Sequence, residues 1–222
     1  PALKAGIHVL LEKPMKVSME DAEAIASACG ALSGVPVFIA DGHHRYETAL
    51  NYRRAHPEVD AAGYTMMMMV AMNDPGLAIL PTHRLISGVD GLDAVRLKEL
   101  LSEHFEVSEM GEGREAARTA WAQIEATGDQ GALALGTSSD HQWLLARLKD
   151  PTVMSRLAVD RSDDWRGLGV SRLHTLLVDE ILRQAYSDGE VGCRYVHLMD
   201  EVDEAVKGGE VPLAVLVAPA SL

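Results

Sequence analysis

The chain has 222 residues with 20 Lys and Arg against 33 Asp and Glu, so its formal net charge is −13. A chain this acidic is unsuited to holding a nucleic-acid backbone or an anionic membrane, since both select clustered Lys and Arg. The hydrophobic content of 47% is typical of a globular domain, and the longest apolar run is too short to span a bilayer. Two cysteines are too few for a disulfide scaffold, and no leader peptide opens the chain, so we expect a cytoplasmic protein with reduced thiols.

Hydrophobic patterning predicts strands and helices from the start of the chain. A punctuated amphipathic pattern between Ser18 and Gly30 predicts a helix, and a second helix is predicted over 41–56, where Pro57 ends it. Apolar and β-branched runs predict four strands. These strands are 8–12, 35–40, 64–72 and 77–80, the last two joined by a turn at 73–76.

From residue 92 onward the predicted elements are more closely spaced. Helices are predicted over 92–105, 113–127, 151–158, 171–186 and 200–209. Strands are predicted over 105–110, 131–137, 141–148, 193–199 and 211–219, with a hairpin turn at 138–140. Strands and helices alternate without a strict βαβ period, which predicts an α+β or mixed α/β protein.

Residues 41–50, DGHHRYETAL, place a strand end, an Asp-Gly turn and a helix start in immediate succession. Asp41 can cap the first free N–H groups of the helix, and Gly42 lets the backbone approach a ligand closely. A helix N-terminus favours phosphate or carboxylate because its N–H groups and its dipole both attract negative charge. The sequence therefore predicts an anion site at this turn.

The first turn of the same helix adds the side chains for phosphoryl chemistry. His43 and His44 supply imidazoles, which exchange protons near neutral pH, and Arg45 supplies a cation shaped for phosphate oxygens. Glu47 lies three residues after His44 and so on a nearby helix face. The alternative is a capped helix whose polar first turn is merely solvated.

A second cluster, formed by Thr82, His83 and Arg84, follows the last predicted strand of this region. If that strand lies beside the one that precedes the first motif, His83 and Arg84 come near His43 and Arg45. Such a pocket could neutralise a triphosphate in an otherwise acidic protein. The alternative is a surface loop with an ordinary basic pair.

The same histidines also allow the interpretation that this region binds a metal ion. Asp41, His43, His44 and His83 could bind a divalent metal, although their spacing matches no standard motif. We expect instead a nucleotide-borne Mg²⁺ held by Asp41 or Glu47.

The motifs ADGHHRYETALNYR and NDPGLAILPTHRL resemble the bacterial and archaeal family called domain of unknown function 1015. The segments LGVSRLHTLLVDEIL and CRYVHLMDEVDEAVKGGEVPLAVLVAP resemble its distal half, so the likeness covers about residues 31–222. Full-length members of that family are longer on both sides. We therefore expect this chain to be a fragment, truncated before a C-terminal motif rich in Lys, Ser, Thr and Tyr.

The DGHHRY motif also resembles the nucleotide-phosphate loop of the wider ParB/sulfiredoxin-like superfamily, which includes nucleotide-dependent free-serine kinases. The resemblance implies a strand-turn-helix phosphate site beside a second small α/β lobe. It places Gly42, His43, His44 and Arg45 around the phosphates, with Asp41 as cap or metal ligand. Sulfiredoxins have a reactive Cys where this chain has His43, so sulfinic-acid reduction is not expected.

Residues 1–30, by contrast, resemble the Glu-Lys-Pro segment of the glucose-fructose oxidoreductase/inositol dehydrogenase family. In that family the Lys, here Lys13, contacts substrate and nicotinamide. The Gly-rich phosphate turn of a dinucleotide fold is absent, so we do not expect NAD(P). The predicted organisation is an oxidoreductase-like segment 1–30, a nucleotide-site lobe 31–90 and a distal α/β lobe 91–222.

These observations predict a nucleotide-binding phosphotransferase or phosphohydrolase that acts on a small metabolite resembling serine or phosphoserine. The expected cofactor is ATP or ADP with Mg²⁺. His43, His44 and Glu47 are the expected catalytic residues. The expected cofactor-binding residues are Asp41, Gly42, Arg45, Thr82, His83 and Arg84, with Asp41 also at the metal. The alternatives are a non-enzymatic nucleotide-sensing module and an NAD(P)-dependent oxidoreductase fragment, and the oligomeric state is left open.

Overall fold

The computed structural model describes residues 42–65, 79–187 and 189–220, together with the single positions 27, 30, 39, 68, 70, 74 and 76. The chain divides into two compact units, Pro1–Leu77 and Ala78–Leu222. Some predicted features lie outside the described residues or meet them only at single positions. They are Lys13 with segment 1–30, the strands at 8–12, 35–40 and 64–72, the helix at 18–30, and Asp41.

The described part of the first unit is a surface helix, α1 (His43–Ala55), followed by a single 3-10 turn (Asp60–Gly63). The predicted helix is confirmed. It ends at Ala55, where the N–H of His56 donates to Tyr52 O at 2.9 Å. None of the side chains of α1 is buried.

The second unit is built on a six-stranded sheet in which every neighbouring pair is antiparallel. The spatial order is β2-β4-β3-β6-β1-β5, so β2 and β5 are the edge strands. The prediction of an α+β protein is confirmed. The strands are β1 (His83–Ser87), β2 (Phe105–Glu112), β3 (Ala132–Thr137), β4 (Gln142–Leu148), β5 (Gly192–Val196) and β6 (Leu213–Val217).

Helices cover both faces of this sheet. They are α2 (Ala94–Leu101), α3 (Gly113–Thr127), α4 (Val153–Leu157), α5 (Asp163–Gly167), α6 (Gly169–Arg172), α7 (Arg183–Ala185) and α8 (Met199–Lys207). Helix α3 coincides with its predicted range. The predicted helix at 171–186 is present, but its centre, the π segment (Leu173–Leu182), is π-helical.

Alternation along the strands divides the apolar side chains between two cores. On one face, Ile86 of β1 joins side chains of α2, α4 and the π segment. On the other face, Leu85 joins side chains of α3 and α8. Strand β1 therefore sends consecutive residues into opposite cores.

The start of β1 differs from the sequence prediction. The apolar run at 77–80 predicts a strand, but Ile79 and Leu80 lie outside any strand and are exposed, and the strand begins at His83. Pro81 has no N–H and cannot donate to a ladder. His83 and Arg84, which the sequence analysis places after the end of a strand, instead lie within β1 and pair with Val196 and Tyr195 of β5.

Candidate functional site

The N-terminus of α1 presents backbone N–H groups that have no acceptor within the helix. The first helical hydrogen bond runs from Tyr46 N to Gly42 O at 2.9 Å. The N–H groups of His43, His44 and Arg45 therefore have no acceptor within the helix. No side chain of the described residues caps this end, and the first turn contains no acidic residue. The end of the helix is therefore electrostatically suited to an anion.

Gly42 shapes this turn in two ways. Its φ of 85° lies in the left-handed region, which side-chain-bearing residues rarely adopt. In addition, the Arg45 side chain folds back over it, so a Cβ at position 42 would lie 3.0 Å from Arg45 Nη2 and 3.1 Å from Nε. Glycine thus allows the guanidinium to lie beside the backbone of the turn.

The side chains of the first turn surround an open pocket lined by Gly42, His43, His44 and Arg45. His44 Nδ1 lies 3.7 Å from Glu47 Oε2, as their spacing of three residues predicts, and both side chains are exposed. An exposed pair of this kind contributes little to stability.

The second predicted cluster is built differently, because β1 separates its members. His83 is 1% exposed and Arg84 is 5% exposed. His83 lies on the face covered by α3, where its ring meets Trp121 edge-on at 4.9 Å. Arg84 lies on the opposite face, toward the π segment.

His83 is held as a neutral imidazole. Its Nδ1 lies within 3.5 Å of the backbone N–H of Val217, which donates to it. Burial, together with the positive charge of Arg84 and the nearby His197, lowers the pKa of His83 from 6.5 to about 4. A neutral, buried His83 does not add positive charge at neutral pH.

Arg84 is held by neutral groups. Its Nε donates to His174 Nε2 at 3.1 Å, and its Nη1 donates to the carbonyl oxygens of Thr82 and His83. The ring of Tyr195 lies 4.4 Å from the guanidinium carbon, a cation–π distance. Burial lowers the pKa of Arg84, although Cys193 and Tyr195 act in the opposite direction.

Two residues of this cluster are not marked as binding residues by the sequence. The pattern around His174 favours a core histidine on an apolar helix face, and Tyr195 falls within a predicted strand. Burial and Arg84 lower the pKa of His174, which keeps its Nε2 available as an acceptor. The only sequence signal for Tyr195 is its alternation with neighbouring residues on β5, since its partner is 111 positions away.

The two motifs lie in different units, so Gly42, His43, His44 and Arg45 are placed in one and Thr82, His83 and Arg84 in the other. Asp41 lies outside the described residues. In the part of the chain that the structure describes, no three His, Cys, Asp or Glu side chains are grouped to hold a metal ion. Nor is any helix in that part long and apolar enough to cross a membrane.

The fold and the two motifs define an α+β protein with a basic, His-containing turn and an antiparallel sheet unit. A family model described as "Protein of unknown function (DUF1015)" matches residues 16–171, and the chain belongs to that family. The match includes both motifs, and it also takes in residues 16–30 of the segment that resembled an oxidoreductase. No curated protein and no solved structure matches the chain.

Proposed function

We propose that this protein binds a nucleotide at the N-terminus of α1 and transfers or hydrolyses a phosphoryl group on a small metabolite resembling serine or phosphoserine. The observation that carries the proposal is a helix end that no described side chain caps and whose first turn has no acidic residue, beside the Arg45 guanidinium folded over Gly42. The proposal rests on the first unit alone.

In this proposal the phosphates of ATP or ADP lie against the backbone N–H groups of the first turn and the Arg45 guanidinium. In the kinase direction, a substrate hydroxyl oxygen attacks the γ-phosphorus, and the bond between that phosphorus and the bridging oxygen of ADP breaks. His43 or His44 takes the hydroxyl proton, and Glu47 orients His44. Mg²⁺ would neutralise phosphate charge, and its assignment to Asp41 remains a sequence prediction.

The test is binding of ATP and ADP, each with and without Mg²⁺, to the full chain by calorimetry. Arg45→Ala should lose at least about tenfold in affinity, since hydrogen bonds to charged groups contribute about 1.5–3 kcal/mol. Arg54→Ala is the matched control, because Arg54 lies in the last turn of the same helix, away from the pocket. Equal loss in both variants would contradict the site.

Gly42→Ala tests the turn itself. The new Cβ must occupy a left-handed conformation and meet Arg45 Nη2 at 3.0 Å, so we expect a several-fold loss of nucleotide affinity. An unchanged affinity would show that the Arg45 position is not needed. ADP release from ATP in the presence of serine then separates an enzyme from a binding module, which would bind without turnover.

A further inference from the structure

Arg84 in the second unit is a buried cation without an anion among the described residues. It is 5% exposed, yet its hydrogen-bond partners in the described part of the chain are all neutral: one imidazole nitrogen and two carbonyl oxygens. Buried charges in proteins are normally paired, because removing them from water is costly. In the described part of the chain, the Arg84 guanidinium therefore lies without an opposite charge bonded to it.

The guanidinium is held so that one edge remains unused. Nε is engaged by His174 and Nη1 by Thr82 O, whereas Nη2 donates to no described residue. Tyr195 covers one face of the guanidinium at 4.4 Å and so fixes its plane. The arrangement holds the cation in place and leaves Nη2 for an acceptor that the described protein atoms do not supply.

Arg84 lies on the strand next to the margin of the sheet. Strand β5 is an edge strand, and Tyr195, opposite Arg84 in the ladder, is 57% exposed. The ring of His174 lies 6.3 Å from that of Tyr195, on the same side of the sheet. Arg84 Nη2 is not among the fully buried side-chain atoms without a partner in the described part of the chain, so this nitrogen keeps contact with solvent and a small ligand can reach it there.

We infer that Arg84 binds one oxygen of a small anion, carboxylate or phosphate, between the edge strand β5 and the π segment. Because Nε and Nη1 are already engaged, the contact is made by Nη2 alone, and a two-point clamp on the anion is excluded. A single donor group accepts a planar carboxylate oxygen and a tetrahedral phosphate oxygen alike. This site is independent of the function proposed for the first unit.

The experiment titrates the full chain with inorganic phosphate and, separately, with malonate, at constant ionic strength, while the Arg Nε–H resonances are followed by NMR. We expect saturable shifts of the Arg84 Nε–H signal, whose hydrogen bond to His174 makes it distinct. The two anions serve as separate arms, and the tighter one identifies the ligand class. The absence of a saturable response to both overturns the inference.

Three variants make the result specific. Arg84→Gln removes the charge and should weaken anion binding at least about tenfold. Arg84→Lys keeps the charge but not the planar fork, and it should also bind more weakly than the natural chain, which decides the matter if Arg84→Gln fails to fold. Arg194→Gln is the control, since Arg194 lies next to Tyr195 on β5, pairs with Glu210 at 2.8 Å and faces the other side of the sheet.

Arg194→Gln should stay within about twofold of the natural affinity; an equal loss there would show diffuse attraction and overturn the site. Arg45→Ala should retain the response of Arg84 to phosphate. If nucleotide binding is lost but the Arg84 response is retained, this inference stands. If nucleotide binding is retained but the Arg84 response is absent, the inference is overturned and the proposed function is intact.

Discussion

The chain contains two His-Arg motifs, and the structure places them in opposite environments. At the start of α1, His43, His44 and Arg45 are exposed around an open pocket. At the start of β1, His83 and Arg84 are buried and divided between the two faces of the sheet. The same residue types thus form a solvent-facing cluster in a helix and two separate buried groups in a strand.

The difference comes from backbone period and burial. Residues in the first turn of a helix gather around its free N–H groups, whereas consecutive strand residues point to opposite faces. Burial then changes the chemistry, because it lowers the pKa of His83 to about 4, whereas the buried Arg84 is held by neutral partners. The α1 motif therefore presents its charged groups to solvent around free backbone N–H groups, whereas the β1 motif holds the Arg84 cation in one position.

The largest effect we predict is a pH dependence of stability that originates at His83. The pKa of this imidazole is about 4 in the folded chain against its ordinary value of 6.5, so the unfolded chain binds the proton first. The free energy of unfolding should therefore be fully developed above about pH 6.5 and fall as the pH drops toward 4. A shift of this size corresponds to at most about 3 kcal/mol.

The measurement is urea unfolding between pH 4 and 7, followed by tryptophan fluorescence. The three tryptophans, Trp121, Trp143 and Trp165, all lie in the second unit. His83→Gln should flatten the curve in this window, while His44→Gln, at an exposed imidazole of α1, should leave its slope unchanged. If the two variants differ in this way, the pH dependence of the free energy of unfolding originates at His83 and not at buried carboxyl groups. Equal slopes in both variants would remove the contrast between the motifs.

The second prediction compares the two arginines directly. Arg84→Ala leaves His174 Nε2 and Thr82 O without their donor and opens space beside the core, so it should lower the free energy of unfolding by about 2 kcal/mol. Arg45→Ala, on a helix with no buried side chain, should change it by less than about 0.5 kcal/mol. Urea titrations followed by both fluorescence and circular dichroism compare the two. Similar costs would mean that α1 is held by contacts beyond those described.

Local pattern predicted several elements of the second unit. Helix α3 has regular apolar spacing and a glycine, Gly128, in the left-handed conformation at its end, and its predicted range is confirmed. The β3–β4 hairpin is confirmed in the same way, since its two apolar runs flank a short polar turn. Strand β1 was missed because His83 and Arg84 interrupt the apolar pattern that strand prediction relies on.

Contacts between distant residues were beyond sequence reasoning. The hydrogen bond between Arg84 and His174 joins residues 90 positions apart, and it exists because the π segment crosses the face of β1 that carries Arg84. The π geometry itself has no sequence signature in an apolar helix. The turn at Gly42 was predictable because glycine, histidines and arginine are adjacent in the chain and need no tertiary contact to meet.

The smallest effect tests whether Tyr195 stabilises Arg84 through its ring. Tyr195→Leu removes the aromatic face 4.4 Å from the guanidinium and should lower the free energy of unfolding by about 0.5–1 kcal/mol. Tyr195→Phe keeps the ring and should stay close to the natural value. Tyr52→Leu removes an aromatic contact with His56 on α1, where the ring centroids are 4.5 Å apart, and should leave the fluorescence-detected transition of the second unit unchanged. If Tyr195→Phe costs as much as Tyr195→Leu, the hydroxyl rather than the ring is responsible, and the Arg84 cation is held by its hydrogen bonds alone.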